Sequence, residues 1–127
     1  MISKERDLLF SCSNDKTIGL WKIPQNYCEE SNKTQGPYIT LSNIHKDYIK
    51  ELSYSVESNT LFSCGFDGVI AQYNLDEIKK GKIYSGNEAI YSQQSSLAKN
   101  SFYSLSCDSS GKLLIASMYE NVRINHN

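Results

Sequence analysis

The sequence lacks the marks of several common protein classes. Its four cysteines, Cys12, Cys28, Cys64 and Cys107, lie 16, 36 and 43 residues apart. No pair has the Cys-x-x-Cys spacing of a zinc site, and Met1 does not lead into an apolar signal-peptide core, so neither a zinc clip nor a disulfide framework is expected. No apolar run approaches the ~20 residues of a membrane span. The cysteines are therefore read first as buried small hydrophobic residues.

An excess of positive charge is also missing. The 13 Lys and Arg residues are balanced by 14 Asp and Glu residues, which gives a net charge of −1. Nucleic-acid-binding domains usually carry a basic face, so nucleic acid is not an expected partner. The 39% of apolar and 11% of aromatic residues suffice for a modest core and argue against a disordered chain. We expect an intracellular protein that is cytoplasmic, nuclear or both. We expect it to bind no membrane, cofactor, metal ion or small-molecule substrate.

An internal repeat is the main positive feature. Residues 8–23 align with residues 60–75 at an offset of 52 without a gap, and six of the sixteen positions are identical. A weaker third copy follows at an offset of 53, where Leu105 falls on Leu52 and residues 113–117 fall on Leu61 and its neighbours. The chain therefore consists of related units that follow one another in register.

Each unit is predicted to form short antiparallel strands. In the second unit, apolar and β-branched runs at 49–54, 60–64 and 69–73 are separated by turn signals at 58–59 and 65–68. The predicted fold class is all-β. The predicted divisions are 1–36, the end of one unit plus a loop; 37–83, a second unit; and 84–127, an incomplete third unit.

The spacing of four residue types resembles the WD-repeat family of β-propellers. His45, Ser63, Asp67 and Tyr73 match the family's structural His-Ser-Asp-Trp tetrad, with Tyr in place of Trp. The resemblance implies a buried polar network that joins a loop to the inner strands, so His45 and Asp67 are interpreted as structural rather than as a catalytic pair. The first unit carries the remaining members of the same pattern, namely Ser11, Asp15 and Trp21.

The third unit departs from this pattern, because Ala98, Ala116 and Glu120 occupy the His, Ser and Asp positions. The implied architecture is a partial, open propeller of about two and a half four-stranded blades, where a closed propeller has 4–8 blades of ~40–45 residues. Unpaired strand edges would then be exposed, and we expect the 127-residue chain alone to be marginal or prone to aggregation.

A narrower resemblance concerns WD-repeat activators of ubiquitin-specific proteases. It rests on His45–Tyr54 with Ser63–Asp67, and on the blade entry Lys99–Leu105 after a Ser-rich insertion. This resemblance implies a non-enzymatic scaffold, whose partner is a ubiquitin-specific protease and whose effect is to raise deubiquitination. A generic WD-repeat adaptor, such as a ubiquitin-ligase substrate receptor, is the alternative.

Candidate partner-binding residues follow from the family's use of loops at one rim. Phe66, at the tip of a turn, is the most informative of them, because an exposed aromatic favours a contact site while packing on an adjacent blade is the competing interpretation. The candidates beside the turn Asp residues and at the strand entries are Asn14, Lys46, Tyr48, Phe66, Lys99 and Ser101. A cysteine hydrolase using Cys64 or Cys107 is a less favoured alternative function.

Overall fold

Three separate antiparallel sheets make up the described part of the chain. The computed structural model describes residues 1–3, 7–23, 36–42, 44–79, 87–92, 101–118 and 122–126. The first sheet contains β1 (Ile2–Ser3), β2 (Leu8–Cys12), β3 (Ile18–Lys22) and β4 (Ile39–Leu41). The second contains β5 (Ile49–Ser55), β6 (Thr60–Gly65), β7 (Val69–Asn74) and β8 (Asn87–Ser92). The third contains β9 (Phe102–Cys107), β10 (Leu113–Met118) and β11 (Val122–His126), and α1 (Leu75–Lys79) follows β7.

The register of the strands reproduces the repeat in the sequence. Ser11 lies opposite Gly19 in the first sheet, and Ser63 lies opposite Ala71 in the second. Within the described residues every strand pair is antiparallel and joins neighbours of one sheet, so this part of the chain is all-β and forms separate, propeller-like sheets rather than a closed barrel. The predicted all-β class is confirmed.

The third copy keeps the offset of 53. Leu105 pairs with Ala116 in the third sheet as Leu52 pairs with Ser63 in the second. Ala116 therefore occupies the place of the Ser, as the alignment indicated. The methyl side chain can neither donate nor accept a hydrogen bond there.

The last strand of the first sheet and of the second sheet comes from the sequence unit that follows. β4 belongs to the first sheet although it follows residue 37, and β8 belongs to the second sheet although it follows residue 84. The reason is that each outermost strand pairs with the strand before it, after an intervening segment. The division into 1–36, 37–83 and 84–127 therefore stays a prediction about repeating sequence units.

Two apolar cores hold the sheets together through opposite faces of the second sheet. Adjacent residues of β6 point in opposite directions, so Leu61 joins the core with the first sheet and Phe62 joins the core with the third. Both side chains are buried, at 0% and 1% exposure. Cys64 lies in the second core and is also fully buried, which confirms its interpretation as a small core residue.

A row of polar contacts adds to the junction between the second and third sheets. Glu51 Oε2 accepts the N–H of Leu105 at 2.8 Å, and Ser53 Oγ accepts the N–H of Cys107 at 3.0 Å. Ser55 Oγ then donates to the carbonyl of Ser109 at 2.6 Å. Because alternate residues of β5 face the same side, three side chains bind successive backbone groups of the neighbouring sheet. This row fixes how the third sheet lies against the second.

Candidate functional site

A buried polar network lies between the start of β5 and the turn that joins β6 to β7. His45 Nδ1 lies 3.0 and 3.1 Å from the two carboxylate oxygens of Asp67, and His45 Nε2 lies 2.6 Å from Ser63 Oγ. Since a carboxylate only accepts, Nδ1 carries a proton and donates to Asp67, while Nε2 shares a hydrogen bond with the Ser63 hydroxyl. Ser63 Oγ is in turn 3.4 Å from the Tyr73 hydroxyl. The structure thus brings all four predicted residues of this unit together.

Asp67 is the residue on which the network converges. Besides His45, it accepts the N–H of Lys46 at 2.9 Å and the N–H of Val69 at 3.2 Å. Burial by itself would raise the pKa of this carboxyl, but the hydrogen bonds from His45, Lys46 and Val69 outweigh burial and hold the pKa below its ordinary value of 3.8. The ionised carboxylate therefore ties the segment before β5 to the β6–β7 turn.

Gly68 completes that turn with a positive φ of 73°, a conformation in which glycine carries no steric penalty. Lys16 has the same φ of 73° at the equivalent position of the first sheet, 52 residues earlier. The two turns therefore share one backbone conformation although only one of them has glycine. The difference between the units lies in the side chains around the turn.

In the first sheet the corresponding residues form two separate pairs. Trp21 Nε1 donates to Ser11 Oγ at 2.9 Å, while Asp15 accepts from the N–H and the hydroxyl of Thr17 at 2.9 and 2.6 Å. Gly19 lies between the first pair, since a Cβ at this position would stand 2.8 Å from both Ser11 Oγ and Trp21 Nε1. The missing side chain at Gly19 lets the indole lie across β3 and reach Ser11.

The third unit has no described counterpart of this network. Ala116 occupies the Ser position, whereas Ala98 and Glu120 fall outside the residues that the structure describes. In the described ranges, no group of three or more His, Cys, Asp or Glu side chains is placed to hold a metal ion. Within the same ranges, no helix is long and apolar enough to cross a membrane.

The cysteines proposed for a hydrolase are poorly placed for nucleophilic chemistry. Burial raises the pKa of the Cys64 thiol to about 12, so the thiol stays protonated and unreactive near neutral pH. Cys107 is half-buried, its Sγ accepts a hydrogen bond from Ser53 Oγ at 3.1 Å, and burial raises its pKa. Both ring nitrogens of His45 are already engaged by Asp67 and Ser63. This geometry favours a structural role for His45.

Three of the surface candidates, Lys46, Tyr48 and Phe66, lie in a cluster of rings and lysines that spans two sheets. The Phe66 ring centroid lies 6.2 Å from that of Tyr48 and 5.2 Å from that of Tyr103, which belongs to β9. Lys50 Nζ lies 5.1 Å from the centroid of Phe66, and Lys46 is exposed beside the same turn. We call these five residues, Lys46, Tyr48, Lys50, Phe66 and Tyr103, the aromatic–lysine cluster.

Phe66 combines the two predicted environments, since it packs against the neighbouring sheet and is also partly exposed. The side chain is half-buried against Tyr103 of the neighbouring sheet, while Tyr48 and Tyr103 leave 44% and 47% of their surface exposed. Ser101, another predicted residue, donates from its hydroxyl to the carbonyl of Phe66 at 3.3 Å. Asn14 is exposed on the turn of the first sheet, and Lys99 lies outside the described residues.

Sequence reasoning missed Lys50 and Tyr103, although alternation could have found them. Lys50 follows buried Ile49 in β5, and Tyr103 follows buried Phe102 in β9, so both face outward by the two-residue period of a strand. Their meeting at Phe66 depends on how the second and third sheets pack together. A single strand carries no signal of that packing.

Antiparallel sheets that pack face to face, together with a His-Ser-Asp network, resemble the blades of β-propellers built from WD repeats. The family model described as "WD domain, G-beta repeat" matches residues 2–22 and 37–74. Over these residues the chain is similar to that family.

One solved structure supports the fold. The chain is similar to the WD40 domain of coronin from Toxoplasma gondii, with a TM-score of 0.69 and 21% sequence identity. The similarity covers 95% of this chain but only 28% of the coronin chain. The chain therefore spans just over a quarter of that structure, and the likeness bears on the fold alone.

Proposed function

We propose that this chain is a non-enzymatic WD40-repeat scaffold that binds an intracellular protein partner through the aromatic–lysine cluster. The observation that carries the proposal is the position of Phe66. Its ring is held between Tyr48 and Tyr103 at an exposed edge, and the turn below it is anchored by Asp67. Aromatic side chains with a rigid base are the residues that dominate the free energy of binding at protein interfaces.

The finer proposal is that the partner is a ubiquitin-specific protease whose activity the scaffold raises. It is supported by the two phrases His45–Tyr54 and Lys99–Leu105, which resemble activators of such proteases. A scaffold that supplies no catalytic residue acts by binding the active conformation of the protease more tightly than the inactive one. An adaptor that presents substrates to a ubiquitin ligase is the alternative partner assignment.

The test uses the purified full chain and a panel of purified ubiquitin-specific proteases. We expect the chain to bind at least one protease and to raise its rate of hydrolysis of a fluorogenic ubiquitin substrate. The double variant Phe66→Ala with Lys46→Glu should weaken binding at least about tenfold, as expected for loss of a central anchor. Lys22→Glu, on the first sheet, is the matched charge reversal and should bind normally.

The outcomes distinguish the scaffold function from the identity of its partner. Binding of a ubiquitin-ligase subunit, lost in the double variant, would keep the scaffold and replace the protease with a ligase. Undiminished binding by the double variant would contradict the aromatic–lysine cluster as the binding surface. Labelling of Cys64 or Cys107 by a thiol-directed activity probe would instead favour the hydrolase.

A further inference from the structure

The aromatic–lysine cluster is assembled from two sheets rather than from one loop. Tyr48 directly precedes β5 and Phe66 lies in the β6–β7 turn of the second sheet, whereas Tyr103 lies in β9 of the third. The Phe66 and Tyr103 rings meet edge-on at an interplanar angle of 61°. The hydroxyl of Ser101 donates to the carbonyl of Phe66 across the same junction. The cluster is therefore held in shape before any partner binds, which lowers the entropy lost on binding.

The two lysines of the cluster form no ion pair among the described residues. The backbone N–H of Lys46 donates to Asp67, but its side chain is exposed. The ammonium of Lys50 lies over the ring of Phe66. Among the residues that the structure describes, neither ammonium forms an ion pair with a carboxylate.

The nearby carboxylates are engaged by backbone groups of the fold. Asp47 Oδ1 accepts the N–H of Tyr48 at 2.8 Å, and Glu51 Oε2 accepts the N–H of Leu105 at 2.8 Å. Asp67 accepts from His45 as well as from the backbone. Each of these carboxylates thus already accepts a backbone N–H, whereas neither ammonium has a carboxylate partner among the described residues.

We propose that the aromatic–lysine cluster binds an acidic peptide segment that carries one large apolar side chain. This inference rests on the proposed function and specifies the chemistry of the partner. The apolar side chain would contact Tyr48 and Tyr103, and carboxylates on either side of it would pair with Lys46 and Lys50. The argument for this ligand is that neither Lys46 nor Lys50 has a carboxylate within ion-pair distance among the described residues, so acidic side chains of a ligand can pair with both.

Single-stranded nucleic acid is the competing ligand, because it also combines negative charge with groups that stack on aromatic rings. Stacking needs free ring faces, whereas Lys50 covers one face of Phe66 and the Tyr103 ring packs against Phe66 edge-on. The chain as a whole also has a net charge of −1. These observations favour the peptide.

The experiment measures binding of a fluorescein-labelled peptide with several Asp and Glu residues on each side of one Trp. We expect saturable binding to the full chain that weakens as NaCl rises, because the charge pairs are exposed to solvent. Lys50→Glu and Tyr103→Ala should each weaken binding at least about tenfold. A peptide with Ala in place of Trp, and one with Lys in place of the acidic residues, should bind at least about tenfold more weakly.

The first sheet provides a matched control. Lys22 Nζ lies 4.2 Å from the ring centroid of exposed Tyr38, which is the same kind of cation–π pair without the other two rings. Lys22→Glu with Tyr38→Ala should leave peptide binding unchanged. Circular dichroism of every variant checks that the sheets are retained.

Two results would overturn the inference. One is binding of the peptide that Lys50→Glu and Tyr103→Ala leave unchanged, and the other is tighter binding of oligouridine than of the peptide at the same cluster. If a protein partner binds through Phe66 while the acidic peptide does not bind, the proposed scaffold function stands and only the acidic ligand is wrong. If neither binds, both proposals fail.

Discussion

The turns that follow β2 and β6 hold the same place in the repeat and share a φ of 73° at the residue after the Asp, yet their aspartates have different roles. Asp67 is buried in a network with His45, and the N–H groups of Lys46 and Val69 add to it. Asp15 is exposed, and among the described residues its contacts stay within its own turn, to Ser13 and Thr17. The shared contact, from the N–H two residues further on, shapes the turn. The additional contacts in the second unit join the turn to a distant segment of the chain.

This difference shows that the Ser-Asp-aromatic spacing has two separable consequences. The Asp makes a local turn wherever it occurs, while the His converts that turn into a link between segments 22 residues apart. The Ser and the aromatic residue form their own pair, as Ser11 and Trp21 show in the absence of a described His partner. A substitution in the second unit therefore has a matched control at the equivalent residue of the first.

The largest expected effect comes from removing the two aspartates in turn. Asp67→Ala leaves His45 Nδ1–H and the N–H of Lys46 without their acceptor, and we expect it to lower the free energy of unfolding by about 2–4 kcal/mol. Asp15→Ala removes an exposed turn contact and should cost less than about 1 kcal/mol. Denaturant unfolding of both variants measures the difference, and equal costs would remove the distinction between the turns.

A smaller loss of stability is expected from substituting Gly19, which lies opposite Ser11. Ala71 is its counterpart opposite Ser63. Gly19→Ala places a methyl group against Ser11 and Trp21, and we expect a cost of about 1–2 kcal/mol. Trp21 is the only tryptophan in the chain, so displacement of the indole should shift its fluorescence emission to longer wavelength. Ala71→Gly is the matched control and should leave the emission unchanged. Unshifted emission in Gly19→Ala would mean that the indole does not depend on this gap.

The smallest expected effect is the pH dependence of the stability that Asp67 contributes. The pKa of Asp67 is lower in the folded chain, so its stabilising contribution is complete above the ordinary carboxyl pKa of 3.8 and is lost as the pH falls through the folded pKa. The difference in unfolding free energy between the natural chain and Asp67→Asn should therefore be constant near neutral pH and shrink below about pH 4. A difference that persists unchanged in acid would exclude the carboxylate charge as its source.

Much of this organisation can be predicted from the sequence because it is local or repeated. The strands of the second sheet, the turn at Gly65–Gly68 and the grouping of His45 with Asp67 all follow from fixed spacings within one repeat. The contacts between sheets do not follow from those spacings. Glu51 binding the backbone of Leu105, and Tyr103 meeting Phe66, depend on the lateral position of the third sheet, which no residue pattern within one strand specifies.

The coupling free energy between His45 and Asp67 measures whether their contact links the segment before β5 to the β6–β7 turn. A double-mutant cycle with His45→Ala and Asp67→Ala, measured by denaturant unfolding at neutral pH, should give a coupling of about 1–3 kcal/mol, because the two side chains share a buried contact. The matched cycle with Asp15→Ala and Thr17→Ala should give less than about 0.5 kcal/mol, since both side chains lie on an open turn. A His45–Asp67 coupling as small as that of the first turn would mean that this contact does not stabilise the fold.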